Sequence, residues 1–327
     1  MTGPDATPRS PSDAGAEPPA ISVVVPVYRA AGTIGPCLAA LRAQRAAPCF
    51  EVIVVDSSPD DETERAIATE AGVGSRERAD FEVRVVRSRE RLHPGSARNA
   101  GARAARADWL LFVDADCVAA PDLVAAAARA AAGGAVAVGG AIELGGSRAP
   151  SARVRHLLEF KESLPGVPAR ATWTLPSACL LLERATFERH GGFPDTRASE
   201  DWLLDWRIWQ SGAAMRFDPS LRVAHLTPAG WRALARYLRV LGVASGAVRR
   251  RGGLPGQALV RWPALSVGLP FARTARALVW CARYSRRDLA FLLVAWPAYF
   301  AMAAVWAGAF YRGVRGDAPL AAKGGRA

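Results

Sequence analysis

The sequence predicts an α/β protein built on a mostly parallel, doubly wound sheet. Three observations carry this reading. Apolar, β-branched runs of strand length recur between residues 21 and 142 with helical stretches between them, the alternation that a parallel sheet requires. The runs are continuously apolar, as strands covered on both faces are. Two of them, 50–56 and 109–114, stop abruptly at Asp56 and Asp114. Both carboxylates then fall on one sheet edge, where open α/β sheets bind their ligands.

In chain order, residues 1–20 are rich in Pro, Ala, Ser and Asp. They read as a disordered tail and not as a signal peptide, because no apolar core follows a basic start. Residues 21–28 form the first strand, closed by Pro26, which cannot continue a ladder. A helix is expected over 33–45 with Thr33 as N-cap. The second strand, 50–56, leads through the turn cluster 57–61 into a helix at 62–71. A third strand at 81–86, a helix opened at Gly95 and running to Arg106, and a fourth strand at 109–114 follow. A helix at 122–132 and a strand near 135–142 continue the sheet. Residues 145–170 carry too little pattern to assign. Beyond them, 175–182 is an apolar strand and 183–190 a short helix stopped by Gly191-Gly192. Ser199 is the expected N-cap of a helix that ends at Gly212, with Glu200 and Asp201 in its first turn, where the helix dipole favours negative charge. Residues 215–223 supply one or two short strands before His225.

The C-terminal part differs in composition. Residues 231–251 form a basic amphipathic helix ending in Arg249-Arg250-Arg251, which fits a membrane surface. Residues 289–311 contain no charged side chain, enough to cross a hydrocarbon core of about 30 Å, or to form a buried helix of a soluble domain. The segment 257–281 is interrupted by Arg261, Arg273 and Arg276, and is an interfacial or re-entrant helix, or a second span. Arginines flank the clean span on both sides, so the positive-inside rule does not count the crossings. The expected organisation is a tail at 1–20, a catalytic domain at 21–228, a linker helix at 229–256, membrane-associated or transmembrane helices at 257–315, and a disordered tail at 316–327.

The net charge of +12 calls for an acidic partner, nucleic acid or an anionic membrane. No aromatic-basic recognition motif supports nucleic acid. The five cysteines are scattered without a Cys-x-x-Cys, which argues against a disulfide framework or structural zinc and for a reducing compartment.

Chemistry gathers at Asp114-Ala115-Asp116. Carboxylates spaced by two can present oxygens to one small volume if strand geometry persists. Hard divalent cations such as Mg²⁺ or Mn²⁺ take such ligands, with nucleotide diphosphates completing the shell.

Taken in order, Ser22-Val23-Val24-Val25-Pro26-Val27-Tyr28, Val54-Val55-Asp56-Ser57-Ser58, Ala97-Arg98-Asn99-Ala100-Gly101, Asp114-Ala115-Asp116 and Glu200-Asp201-Trp202 resemble the motifs of the family 2 glycosyltransferases. These are inverting enzymes of the GT-A fold, a Rossmann-like, mostly parallel sheet flanked by helices; the resemblance runs over roughly 20–228. The C-terminal portion is similar to members with a membrane-associated tail. The resemblance implies a nucleotide-diphosphate sugar donor, a divalent metal (Mg or Mn), and a lipid-linked or glycan acceptor at the cell membrane, with the catalytic domain on the cytoplasmic side. It places Pro26, Val27 and Tyr28 along the nucleotide and Asp56 on the base edge, although Ser57 stands where a second acidic residue is common. Arg98 falls near the donor or in a surface salt bridge, Asp114 faces the ribose or the metal, and Asp116 binds the metal. His225 matches a histidine that approaches the metal or the diphosphate. Asp201 is implied as general base, ionised at neutral pH by its helix-start position, with Glu200 orienting the acceptor or the sugar hydroxyls. The alternatives are a silent nucleotide-sugar-binding scaffold, disfavoured by retention of all four aspartates, and a nucleotidyltransferase. The latter is disfavoured because Tyr28-Arg29-Ala30-Ala31-Gly32 is not a Gly-rich basic loop.

Overall fold

The structure is a computed structural model describing residues 18–71 and 81–316. Apart from their innermost residues, the two expected tails lie outside the described residues. A nine-stranded sheet organises the chain. Its first half is the predicted one. Strands β1 (Ile21–Val27), β2 (Phe50–Asp56), β3 (Phe81–Arg87) and β4 (Trp109–Val113) pair in parallel in the order β3-β2-β1-β4. Helices α1 (Ile34–Arg42), α2 (Asp61–Ala71) and α3 (Pro94–Ala104) connect them.

Pro26 does not close β1. The ladder to β2 continues to Val27 opposite Asp56, and pairing with β4 has already ended at Val24, so the missing N–H costs nothing on that side. Thr33 occupies the N-cap position of α1 without capping it: its hydroxyl donates to the Ala30 carbonyl instead.

The second half of the sheet is mixed. After β5 (Cys117–Ala119) and α4 (Leu123–Ala131), the chain forms β6 (Ala137–Gly146) and then α5 (Pro150–Phe160). The helix α5 lies in the stretch left unassigned by the sequence. Strands β7 (Arg170–Ala171) and β8 (Cys179–Glu183) follow, then α6 (Arg184–Arg189), α7 (Glu200–Gln210) and β9 (Met215–Thr227). Strand β8 runs antiparallel between β4 and β6, while β9 is parallel to β6 and antiparallel to β5 and β7. Residues 215–227 thus form one long strand containing His225, not short strands ending before it.

A buried ion cluster ties the parallel half together. Glu51, 1% exposed, accepts from Ser22 Oγ at 2.6 Å, Arg106 N at 2.6 Å and Arg84 Nη2 at 2.9 Å. The carboxylate is thereby supplied with donors from three elements, which a buried charge requires.

The C-terminal helices are α8 (Trp231–Gly252), α9 (Gln257–Arg261), α10 (Leu269–Tyr284) and α11 (Arg286–Arg315), with a 3₁₀ segment (Pro263–Gly268) before α10. Glycines let α8 and α11 touch backbone to backbone: a Cβ on Gly246 or Gly313 would collide with the carbonyl oxygen of Phe310 or Val243. One apolar cluster runs without a break from Phe112 and Leu180 of the sheet to Trp306 and Phe310 of α11.

Candidate active site

The parallel strands deliver their carboxyl ends to one edge, and β9 brings His225 there by pairing it with Cys117. A cavity of about 920 Å³ opens at this edge, walled by the sheet on one side and by α7, α8, α10 and α11 on the other. Arg98, Asp114, Asp116, Glu200, Asp201 and His225 all line it. Pro26, Val27, Tyr28 and Asp56 do not; they lie at the neighbouring ends of β1 and β2.

Asp114 and Asp116 do not converge, because β4 ends at Val113 and the strand period with it. Asp114 Oδ1 accepts from Arg98 Nη2 at 2.5 Å. Asp116 turns to β9, its Oδ2 lying 3.3 Å from His225 Nε2. The other ring nitrogen, Nδ1, is 2.8 Å from Thr227 Oγ1. Burial alone would raise the Asp116 carboxyl, but the hydrogen bond and charge of His225 hold it below the usual range. His225 moves the opposite way: burial would lower it, and Asp116 raises it.

Arg98 is the electrostatic centre. Its side chain is 4% exposed, and Nη1 donates to Glu200 Oε1 at 2.7 Å while Nη2 holds Asp114. This is a buried bridge across the cavity, not a surface salt bridge.

Ser199 does not cap α7. It sits in the left-handed region at φ 64°, and its hydroxyl pairs with Ser245 Oγ at 3.1 Å on α8. Asp201 also departs from expectation. Burial, then the adjacent Glu200 charge, push its carboxyl up to about 7 against the opposing pull of Arg98. Desolvation outweighs the helix-start effect, against the ionisation that the helix start alone implies.

Among the residues at the ends of β1 and β2, Val27 has its side chain buried in one cluster with Ile34, Cys37 and Leu38 of α1. The Arg91 guanidinium covers the Tyr28 ring at 4.4 Å. Asp56 is 1% exposed; Oδ1 accepts from Ser58 N at 2.9 Å, and Oδ2 accepts no hydrogen bond but lies 3.5 Å from Arg87 Nη2. The β1 and β2 ends are tied by Arg29 N donating to Ser58 Oγ at 2.7 Å.

Residues the sequence reading missed complete the walls. Arg155 Nε donates to Glu159 at 2.9 Å, its guanidinium 4.1 Å from the Tyr237 ring; the Arg155 charge acts on Asp116. The available signal was Pro150 at the first helical position, followed by apolar residues at helical spacing. Asp205, one turn beyond Asp201, accepts from Leu175 N at 2.7 Å and fixes the loop before β8. Burial, then Asp201, push it well above the carboxylate range.

Among the described residues no three His, Cys, Asp or Glu side chains cluster as a ready metal site. The Asp116–His225 pair nevertheless fits a divalent ion in its donor chemistry, a carboxylate oxygen and an imidazole nitrogen facing a wet cavity.

The glycosyl transferase family 2 model matches residues 22–190, more than half of the chain. The chain belongs to glycosyl transferase family 2. Its sheet and flanking helices are correspondingly of the GT-A type. A family relative, the pre-mycofactocin glycosyltransferase of Mycobacterium tuberculosis, is 27% identical over 273 residues, covering 79% of this chain and 55% of that protein. An uncharacterized glycosyltransferase of Haemophilus influenzae is 32% identical over 102 residues, covering 31% of each. The chain thus spans about half or less of the length of these relatives. In fold, it is similar to the mannosyltransferase PcManGT of Pyrobaculum calidifontis in complex with GDP-Man and Mn²⁺. That likeness has a TM-score of 0.61 at 23% identity and covers 92% of this chain and 89% of that one.

Proposed function

We propose that the chain is an inverting glycosyltransferase that moves a sugar from a nucleotide-diphosphate donor to an acceptor hydroxyl at a membrane. The observation that carries this reading is the gathering of these groups in one cavity: Asp116 paired with His225 at the sheet edge, and Asp114 tied by Arg98 to Glu200, the neighbour of Asp201 on α7. Breaking a sugar–phosphate bond develops charge on the diphosphate, and a divalent ion held by Asp116 and His225 would offset it there. Asp201 accepts the proton of the acceptor hydroxyl from the opposite side of the sugar. A carboxyl raised to about 7 is matched to that task near neutral pH. Glu200 is fixed by Arg98, and that fixation steadies Asp201 beside it. Asp56, whose Oδ2 accepts no hydrogen bond and has only the Arg87 guanidinium 3.5 Å away, is suited to accept from a ring N–H of the base. A screen of GDP- and UDP-sugars with Mn²⁺ or Mg²⁺ for hydrolysis and transfer tests this; no turnover of any donor would reject it.

Asp116→Ala is expected to weaken metal-dependent donor binding by at least about ten-fold, since loss of even an outer partner of a metal site costs about 10–100-fold. Calorimetry of donor binding with and without Mn²⁺ checks it, and an unchanged metal dependence would remove Asp116 as ligand.

The membrane contact we propose is in-plane. Helix α11 has 30 residues and an apolar window of mean hydropathy 1.9, a length of about 45 Å. It does not stand free of the domain. Leu292, Tyr299, Ala303, Trp306, Phe310 and Gly313 form a buried stripe along its whole length, and Asp288 at its start pairs with Arg153 of α5 at 2.7 Å. A perpendicular crossing would drag α5, α8 and α10 into the bilayer. The outward face, with Val294 83% exposed beside exposed Leu293 and Trp296, and with Trp262, Val267 and Phe271 exposed on the preceding segments, suits burial to headgroup depth. Between residues 231 and 316 there are fourteen arginines and one acidic residue, Asp288, which favours an anionic leaflet. Sedimentation with phosphatidylglycerol vesicles should capture the full-length protein, and Val294→Glu should weaken capture several-fold. Equal capture by neutral phosphatidylcholine vesicles at all salt concentrations would refute the electrostatic part.

A further inference from the structure

The cavity is polarised in charge along its length. At the sheet end, Asp114, Asp116, Glu200 and Asp201 surround Arg98. The far end, between the 161–173 segment and helices α8 and α10, carries Lys161, Arg170, Arg249, Arg273 and Arg276 against Glu162, with Glu159, held by Arg155, also acting on Arg273. Glu162 is already engaged, at 2.7 Å by Arg276 and at 3.7 Å by Lys161.

Among the described residues Arg170, Arg249 and Arg273 have no carboxylate within ion-pair distance. Each rests on backbone carbonyls and an aromatic face instead. Arg170 donates to Glu162 O at 3.0 Å with Trp280 at 5.0 Å. Arg249 donates to Pro255 O at 3.2 Å with Trp202 at 4.7 Å. Arg273 donates to Leu158 O at 2.9 Å with Trp306 at 4.2 Å. The Nε atoms of Arg170 and Arg273 are buried without an acceptor. Burial lowers all three guanidiniums, and Arg273 lowers Arg249 further by like charge, to about 10. Glu162 offsets part of this at Arg170 and, with Glu159, at Arg273, while no carboxylate is among the groups acting on Arg249; like charges drawn together out of water with too little counter-charge are unfavourable. A ligand that brings the missing anion relieves that cost. Arg is also the side chain that best matches phosphate and carboxylate oxygens.

We propose that this end of the cavity is the acceptor subsite, for an amphiphile whose phosphate or carboxylate group lies among Arg170, Arg249 and Arg273 and whose apolar body lies against Leu269, Trp280 and Trp306. It rests on the glycosyltransferase reading, because only then is a second substrate needed opposite Asp116. Arg249 lies over the ring of Trp202, the residue after Asp201, so an acceptor held there by its anionic group directs its hydroxyl toward the base while the donor diphosphate stays at the sheet edge. Helix α10 serves both surfaces: Leu269, Ala272, Arg273, Arg276 and Trp280 face the cavity, while Phe271 and Val279 are exposed on the outside.

The test uses the full-length protein with dodecyl phosphate, dodecyl maltoside and inorganic phosphate, the detergents below their micellar concentrations. Tryptophan fluorescence and donor hydrolysis are the readouts. Dodecyl phosphate should bind saturably, and both the neutral detergent and free phosphate should bind at least about ten-fold more weakly, because charge-assisted hydrogen bonds and the apolar body both contribute. Arg273→Gln and, independently, Arg249→Gln should weaken dodecyl phosphate about ten-fold or more while the KM of the donor in hydrolysis stays unchanged. Equal binding of inorganic phosphate would overturn the amphiphile. Unchanged binding in both variants, or a raised donor KM, would overturn the subsite, the latter assigning the arginines to the donor. If no nucleotide sugar is hydrolysed while dodecyl phosphate binding still depends on Arg273, the transferase reading fails and the anion site stands.

Discussion

Replacing Asp201 with asparagine is expected to lower sugar transfer by about 10²–10⁴-fold, the range a positioned general base supplies, with donor binding intact. Asparagine keeps the shape and can still accept from Trp202 N, the 2.9 Å bond of the native carboxylate. In the native protein transfer should rise with pH through about 7, as the raised Asp201 carboxyl ionises. Stability should follow the opposite course. The folded state holds its proton more tightly than the unfolded chain, so stability falls as pH rises from the ordinary carboxylate range to about 7, then levels off. Asp201→Asn abolishes that fall, and its melting temperature should exceed the native one more at pH 8 than at pH 4. Near-native turnover, or a profile flat across pH 6–8, would exclude Asp201 as the base.

The second large effect is expected at Arg98. Arg98→Met leaves Asp114 and Glu200 without their shared cation, and removing one partner of a buried pair costs about 3–5 kcal/mol. Two readouts should move together. Denaturant unfolding should show the loss of stability, and the pH midpoint of any residual transfer should rise, because Arg98 opposes the upward push on Asp201. A destabilised variant with an unmoved midpoint would reduce Arg98 to a structural bridge.

The parallel half of the sheet was legible because β-branched runs such as Val23-Val24-Val25 and Val52-Ile53-Val54-Val55 can only be buried strands, and Asp56 and Asp114 mark where they end. The direction of β8 was not, since an apolar pattern is the same read in either sense. The helix α5 was hidden in a stretch whose polar residues, Arg153, Arg155, His156 and Glu159, face protein rather than water. Glu200-Asp201 was found as a motif, but local capping logic misread its electrostatics. The Ser199 hydroxyl is spent on Ser245, forty-six residues away, and burial, then the Glu200 charge, raise Asp201. The pairing of Asp116 with His225 likewise exists only through the antiparallel contact of β5 with β9, a long-range fact that no local window contains.

The glycine-lined crossing of α8 and α11 has a consequence for how this protein is handled. Helix α8 supplies Ser245 and Arg249 to the cavity, α10 supplies Arg273, and α11 closes it with Trp306 and Phe310. The wall of the cavity and the surface proposed to meet the membrane are therefore the same object. Trimming the last helix to obtain a more tractable fragment would remove that wall together with the proposed attachment, and detergent bound to the outer surface of α10 would act on a helix that also lines the cavity.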